Sequence, residues 1–224
     1  MEFRKNTELT EVHRIVGGEV EAENIIGTNG NIYHLENIVA VCGIDYCMMT
    51  SYRCKKDLCS KVYKINDNVM VGATGTFRIE ENPLEPLIGA RVKAISLEEL
   101  TMLIEDYMVD RRTCASIYPD RKYIIAGREY DGQFCIVSIE FIDNHKELHR
   151  SVYRPNKEAI AAVLSAPRYF SDDKSEFFEL FKKGLRACND VAELRKYIEL
   201  VTRKLSSVEC SQRDLLDCET RIVV

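Results

Sequence analysis

Residues 61–75 read KVYKINDNVMVGATG, two short apolar runs on either side of the Asn-Asp-Asn segment at 66–68. Because Asn and Asp tolerate left-handed backbone and form Asx turns, this pattern predicts a β-hairpin. The second run finishes on the small residues GATG at 72–75, where the backbone can approach a neighbour closely or bend sharply. We therefore expect the hairpin to end in a turn at Gly75.

Further strand-like runs lie on both sides of this hairpin. Upstream, the apolar runs 38–42 and 46–52 flank a Gly-Ile-Asp turn at 43–45 and predict a preceding hairpin. Downstream, residues 123–128 and 134–141 form another pair of runs, joined by a Tyr-Asp-Gly turn. A less regular run at 148–153 is expected to be a third strand of that group.

Helical segments follow and interrupt these strands. Ser96 and Glu99 form an S-x-x-E capping box that opens a predicted helix to about Arg112, with apolar residues at three- and four-residue spacing. Further helices are expected at 157–165, 177–188 and 191–205, and a final strand at 220–224. Strands, helix, strands, helices and a strand in this order predict an α+β protein.

Composition limits the classes of function. The 224-residue chain carries 31 Lys and Arg against 36 Asp and Glu, a net charge of −5 that does not indicate a nucleic-acid surface. No apolar run approaches the roughly 20 residues that span a bilayer, and the N-terminal residues lack a signal-peptide core. We expect an intracellular protein that contacts no nucleic acid and no membrane.

The nine cysteines are scattered and odd in number. Several lie inside apolar runs, where a free thiol behaves as a small hydrophobic side chain. Cys54 and Cys59 lack two further ligands at tight spacing, and His145 with His149 lacks the order of zinc proteases. We therefore expect reduced, structural cysteines, no metal site and no cofactor.

The N-terminal residues 1–35 contain RIVGG at 14–18, which matches the activation site of trypsin-like proteases. That chemistry requires a serine in a glycine-rich turn, a histidine base and a buried aspartate. The chain has neither a G-D-S-G-G nor an A-A-H-C sequence, and it has no tryptophan. We interpret residues 1–35 as an N-terminal extension that precedes a single domain at 36–224.

Residues 38–53 (IVAVCGIDYCMMTSYR), followed by 61–75, resemble the opening of a proteasome β-type subunit. That family begins with a strand, a Gly/Asp turn and a second strand, followed by a lysine-bearing hairpin that ends in an A-G or S-G turn. The resemblance continues through the Arg pair at 111–112 and through 122–143 (KYIIAGREYDGQFCIVSIEFID), and covers about 36–143. It implies a four-layer α/β/β/α sandwich, Ntn-hydrolase-like, with two antiparallel sheets between helix layers.

The resemblance also locates the family's catalytic positions. Active members use a threonine that becomes the N-terminus after cleavage behind a glycine, with a lysine and an aspartate nearby. Counting back from Gly43, the nucleophile position falls at Asn37, preceded by Glu36, and the aspartate position falls at Tyr52. Lys61 matches the family lysine, but it has no nucleophile to activate. The resemblance therefore implies a divergent, non-catalytic subunit with no catalytic residues.

Such a subunit would assemble with other α- and β-type subunits into the stacked rings of a 20S core particle, in the cytoplasm and nucleus. Its features favour the third, sixth or seventh β position.

Two alternatives stay open. Processing between Gly27 and Thr28 would give an active threonine peptidase, and the segment at 29–33 resembles the entry segment of α-type subunits, although no room remains for the helix that they place there.

Overall fold

The computed structural model describes residues 11–16, 32–35, 37–54, 60–78, 94–110, 121–142, 147–157, 159–166, 176–209 and 215–224. Its strands are β1 (Glu11–Val16), β2 (Ile32–Leu35), β3 (Ile38–Gly43), β4 (Tyr46–Cys54), β5 (Val62–Lys64), β6 (Val69–Arg78), β7 (Lys122–Arg128), β8 (Phe134–Ile142), β9 (Glu147–Tyr153), β10 (Ala161–Ala166) and β11 (Leu215–Val223). Its helices are α1 (Leu97–Asp110), α2 (Glu176–Ala187) and α3 (Val191–Glu209).

These strands form two sheets. The first sheet has the order β1-β10-β3-β4-β11, and the second has the order β2-β6-β7-β8-β9, with β5 also paired to β6. The described pairings are antiparallel, except that β1 runs parallel to β10. The predicted α+β class is confirmed. The strands β1 and β2 come from residues 1–35, so that segment contributes one strand to each sheet.

The turn between β5 and β6 forms through the side chain of Asn66. Its Oδ1 accepts hydrogen bonds from the backbone N–H groups of Asn68 (2.8 Å) and Val69 (3.0 Å), the Asx arrangement that the sequence predicts. Its Nδ2 donates to the carbonyl of Ile95 at 2.7 Å, just before α1. The turn therefore fixes both the hairpin and the start of the following helix.

The strand β6 does not end at Gly75, so that prediction is wrong. The strand continues to Arg78 and changes partners: residues 69–74 pair with β7, whereas 75–78 pair with β2. Gly75 lies at the change and has φ 111°, a backbone conformation that side chains with a Cβ rarely adopt. Glycine is needed there for the change of partner rather than to end the strand.

The core lies on both faces of both sheets. Between the sheets, apolar residues of the first sheet such as Ile38 and Met49 pack with Met70, Ile124 and Ile136 of the second. The outer face of the second sheet packs against the buried side of α1, and the outer face of the first sheet packs against α2 and α3. Each described helix therefore covers a sheet face that is turned away from the other sheet.

Two helix starts form as their capping residues predict. In front of α1, Ser96 Oγ accepts from the N–H of Glu99 at 3.1 Å, and Glu99 Oε2 accepts from the N–H of Ser96 at 2.9 Å. In front of α3, Asp190 Oδ1 accepts from the N–H of Glu193 at 2.8 Å. The predicted helix end at Arg112 lies outside the described residues.

The predicted helix at 157–165 is wrong, because residues 161–166 form β10. This strand lies between β1 and β3, and residues 161–165 are buried. Asn156 and Ala159 exchange backbone hydrogen bonds and turn the chain into the strand. A run of small apolar residues buried on both faces has no period that separates helix from strand. The last strand is also longer than predicted and begins at Leu215.

The backbone at Gly75 provides a test of this change of partner. We expect Gly75→Val to lower the free energy of unfolding by about 1 kcal/mol or more, because a Cβ is strained at this φ. Chemical denaturation measures the change. Gly132→Val is the matched reference: Gly132 also has a positive φ (85°) and has open space around it in an exposed turn, so its loss reports the backbone strain without any clash. A Gly75 variant as stable as the wild type would contradict the assigned backbone.

Candidate functional site

Asn37 lies in the short connection from β2 in the second sheet to β3 in the first. Its side chain is buried, and its φ of 67° makes it the one residue other than glycine with a positive φ in the described part of the chain. Asparagine tolerates this left-handed conformation better than most residues. The predicted nucleophile position is therefore a buried turn between two sheet strands, and its amide offers no hydroxyl.

Lys61 lies at the start of β5 and is buried, with 3% of its surface exposed. Its Nζ donates a hydrogen bond to the backbone carbonyl of Tyr52 at 3.0 Å, and its own carbonyl accepts from the N–H of Ala73 at 3.0 Å. Tyr52 follows Ser51, which lies opposite Ile38 in the β3–β4 register. The ammonium group is thus held against β4 close to the end of β3 at which Asn37 stands.

Tyr52 contributes its backbone to this site, whereas its phenol lies elsewhere. Burial raises the pKa of the Tyr52 phenol, and the charges of Arg203 and Glu199 on α3 also influence this pKa. Tyr52 therefore supplies a carbonyl acceptor at the position where the family has an aspartate. The structure brings together Asn37, Lys61 and the Tyr52 backbone, but not a carboxylate at position 52.

A buried hydrogen bond joins the two sheets beside Asn37. The hydroxyls of Thr74 on β6 and Ser165 on β10 are 3.1 Å apart. Ser165 lies opposite Ile38 in the β10–β3 register, and Thr74 immediately precedes Gly75. The sequence analysis missed this pair, because strand alternation indicates which face a side chain takes but not which distant residue it meets.

A second polar pair lies on the β4–β11 side of the same region. Ser60 Oγ donates to Glu219 Oε1 at 2.5 Å, and Glu219 has only 7% of its surface exposed. Its other carboxylate oxygen is buried and has no hydrogen-bond partner among the described residues. Glu219 lies opposite Ser51 in the register, two residues before Arg221 on β11. Sequence analysis missed Glu219 as well, for the same reason.

These contacts define what the cluster can do chemically. A serine or threonine nucleophile needs a base within hydrogen-bond reach. Thr74 contacts the hydroxyl of Ser165, and Lys61 donates to a carbonyl, so neither bond activates a hydroxyl. Ser60 does contact a carboxylate, but on the β11 side of the cluster rather than at position 37. The polar groups therefore link strands across the sandwich and do not form the family's catalytic set.

A groove in the described part of the chain lies away from this cluster. It has a volume of about 680 Å³ and lies between the β5–β6 turn, the start of α1 and the β7–β8 turn. Glu129 in its wall forms a two-pronged ion pair with Arg154, with N–O distances of 2.6 and 2.8 Å. This hydrogen bonding raises the pKa of Arg154. Asn37, Tyr52 and Lys61, the positions that the resemblance relates to catalysis, do not line this groove.

The prediction of reduced cysteines is wrong for one pair. Cys42 and Cys47 lie directly opposite each other in the β3–β4 hairpin and form a disulfide. The two cysteines approach each other because the hairpin register places them opposite. The sequence predicted this hairpin, but not the disulfide between its strands. Both residues are fully buried between the sheets.

The free cysteines of the described part are Cys135, Cys188 and Cys218. Burial raises the pKa of the Cys135 thiol to about 12 and that of Cys188 to about 11, and it also raises the pKa of Cys218. The thiolate is the nucleophilic form of cysteine. None of these three thiols is therefore activated for catalysis.

In the described ranges, no group of three or more His, Cys, Asp or Glu side chains stands close enough to hold a metal ion. Among the described helices, none combines the length and the apolar character needed to cross a membrane. Cys59 and His145 lie outside the described residues, and His149 is an exposed residue of β9. Comparison with known proteins finds no matching family model and no matching curated protein.

The Thr74–Ser165 bond can be tested by a double-mutant cycle. We expect Thr74→Val and Ser165→Ala each to lower the free energy of unfolding by about 1–2 kcal/mol, because each leaves a buried hydroxyl unpartnered. The double variant should lose less than the sum of the two. Thr202→Val is the control, because that buried hydroxyl bonds within α3 to the carbonyl of Ile198. Additive losses for Thr74 and Ser165 would contradict the contact.

The disulfide predicts a pattern of alkylation. When the unfolded chain is treated with iodoacetamide without reductant, peptide mapping should find Cys42 and Cys47 unmodified, and prior reduction should make both reactive. Cys135 is the control, because it is buried but unpaired and should react in both samples once the chain is unfolded. Modification of Cys42 and Cys47 without reductant would show that the pair is not oxidised.

Proposed function

We propose that the chain is a divergent, non-catalytic β-type subunit of a 20S proteasome core particle. In this role it forms part of the β ring that encloses the proteolytic chamber for protein degradation in the cytoplasm and nucleus. The observation that carries the proposal is that Asn37 lies immediately before β3, while the Lys61 ammonium is held on the neighbouring strand β4 through the Tyr52 carbonyl. The motifs follow the order that the family shows along the chain, and β3–β4 and β5–β6 form the two expected hairpins. Position 37, however, carries no hydroxyl nucleophile.

The packing order supports the proposed fold family. The helix α1, the second sheet, the first sheet and the pair α2–α3 pack in succession. This succession supports a four-layer α/β/β/α sandwich of the Ntn-hydrolase kind. From β3 onward the order of elements along the chain agrees, with two hairpins, then a helix, then the strands β7 to β10, and a pair of helices before the last strand.

The site supports the absence of catalysis. An N-terminal nucleophile needs a free amine and a hydroxyl on the same residue. Residue 37 is instead preceded by β2, which pairs with β6 through Ile32–Leu35. Cleavage before Asn37 would separate that strand from the domain and expose no hydroxyl. The chain would therefore contribute its shape to the ring rather than chemistry.

The two alternatives receive less support. Thr28 lies outside the described residues, so the first alternative stays a prediction that the inhibitor experiment tests. An α-type subunit places a helix before its first strand, but here residues 32–35 form a strand that leads to β3. Neither alternative explains the position of Lys61 beside the head of β3.

The disulfide bears on the proposed location. The cytosol keeps accessible thiols reduced. Thiol–disulfide exchange requires a thiolate to reach one of the sulfurs, and both Cys42 and Cys47 are fully buried. A location in the cytoplasm and nucleus therefore requires that the folded sandwich shields this pair from exchange.

Native purification from source cells tests the proposal. A tagged copy should co-purify with α- and β-type proteasome chains in a high-mass particle. Its intact mass should include residues before Glu36, and an electrophilic threonine-directed inhibitor should leave no adduct on it. Recovery without any proteasome chain would overturn the proposal. A chain that begins at Thr28 and carries the inhibitor would instead identify an active peptidase.

A further inference from the structure

The disulfide between Cys42 and Cys47 lies against the backbone of the second sheet. Each of the two Sγ atoms is 3.6 Å from the carbonyl oxygen of Cys135 on β8. The Sγ of Cys47 is also 3.8 Å from the carbonyl oxygen of Gly127 on β7. A sulfur in a disulfide carries no hydrogen and cannot donate to these oxygens, whereas a thiol is a weak donor. The second sheet therefore offers acceptors that only the reduced pair can use.

These acceptors are enough for two thiols. A carbonyl oxygen has two lone pairs, and Cys47 has the Gly127 oxygen as an alternative to that of Cys135. The two sulfurs must move apart when their bond breaks. The residue beside Cys42 on β10 is Ala161, whose side chain is a single methyl group, so the sulfur has a small neighbour on that side. Breaking the bond therefore leaves each new thiol with an acceptor within reach.

The disulfide adds little to a hairpin that other bonds already hold. The strands β3 and β4 pair along their length, from Ile38 opposite Ser51 to Gly43 opposite Tyr46. A crosslink stabilises a protein mainly by restricting the unfolded chain, and this effect grows with the number of residues in the closed loop. The two cysteines are only five positions apart in the sequence, so the loop is short. The fold consequently depends little on the bond being made.

The disulfide is close to an exposed end of the hairpin. The single pair Gly43–Tyr46 separates it from the turn, where Ile44 is 59% exposed. Opening of this last pair lets a thiolate from solution reach the sulfurs without unfolding of the domain. The thiol of Cys135 cannot attack from within, because its side chain belongs to the apolar cluster beneath α1, on the other face of β8. The thiol that exchanges with the pair therefore comes from solution.

We infer that Cys42 and Cys47 form a reversible dithiol–disulfide couple within the folded protein. A thiolate of a dithiol reductant attacks one sulfur, which gives a mixed disulfide and releases the other cysteine as a thiolate that takes up a proton. The second thiol of the reductant then attacks the mixed disulfide, leaves as a cyclic disulfide and frees the first cysteine. Two electrons and two protons pass from the reductant to the pair. Thiol hydrogen bonds to the second sheet thereby replace a covalent bond within the first.

A redox titration of the full-length recombinant chain tests the couple. The folded chain is equilibrated with reduced and oxidised dithiothreitol at a series of ratios, starting from either form, and the same titration is made in concentrated urea. Acid quenching, alkylation in denaturant and peptide mapping then give the reduced fraction at positions 42 and 47.

The midpoint ratios of the folded and unfolded chains should differ by less than about a hundredfold, the scale set by the entropy of so short a loop. A larger difference would show that the folded protein does not accommodate the reduced pair, and would overturn the inference. A folded chain that cannot be reoxidised, or a reduced chain that circular dichroism and thermal melting find unfolded, would overturn it as well.

The hydrogen bonds of the reduced pair have a separate readout. The Raman difference spectrum between the reduced and the oxidised folded chain isolates the S–H stretching band of the two new thiols. Hydrogen bonding to carbonyl oxygens should place this band at a lower frequency than in the same difference spectrum of the chain in urea. In the matched variant, Cys42→Ala with Cys47→Ala, the difference band should be absent. A band at or above the frequency found in urea would contradict the hydrogen bonds.

This couple goes beyond the proposed function, because it requires no other subunit and no proteolytic activity. Its tests use the purified chain alone. The proposed function keeps its own test, which depends on co-purifying proteasome chains, so either can fail without the other.

Discussion

The whole structure depends on the burial of both faces of both sheets. All six residues of β3 are buried, as are six of the seven residues of β7. Successive side chains of a strand point to opposite faces, so a strand buried throughout needs cover on both sides. The two sheets cover each other on the inside, at the distance of about 10 Å that side chains allow. Helices must then cover the outside, and the apolar stripes of α1, α2 and α3 do so.

Local hydrogen bonds could be predicted from the sequence, because the residues that form them lie only a few positions apart. Asn66 forms the predicted Asx turn, and Ser96 and Glu99 form the predicted capping box. The strand β10 could not be predicted in this way. Its AAVLSA sequence is compatible with helix, and only its place between β1 and β3 makes it a strand. The positive φ of Gly75 was predictable as well, but not the change of partner that requires it.

In the candidate site, too, contacts between residues far apart in the sequence could not be predicted. The resemblance singles out Asn37 and Lys61 by the order of motifs along the chain, and their assignment stays a prediction. The pairs Thr74–Ser165 and Ser60–Glu219 could not be predicted, since their members lie 91 and 159 residues apart. Alternation along a strand predicts that such side chains point between the sheets, but the register of both sheets and their relative placement decide which of them meet. The cysteine pair was missed although its hairpin was predicted, because apolar runs also accommodate free thiols.

The polar residues near Asn37 form hydrogen bonds that link the two sheets. A buried ammonium or carboxylate costs free energy unless it is hydrogen-bonded, so such residues persist where they have a structural bond to make. Lys61 bonds to the backbone of β4, Thr74 bonds to β10, and Ser60 bonds to β11. Each bond ties a segment of the β5–β6 hairpin to the first sheet, so removal of any one weakens the contact between the sheets. Under the proposed function, Lys61 serves this connection between the sheets rather than catalysis.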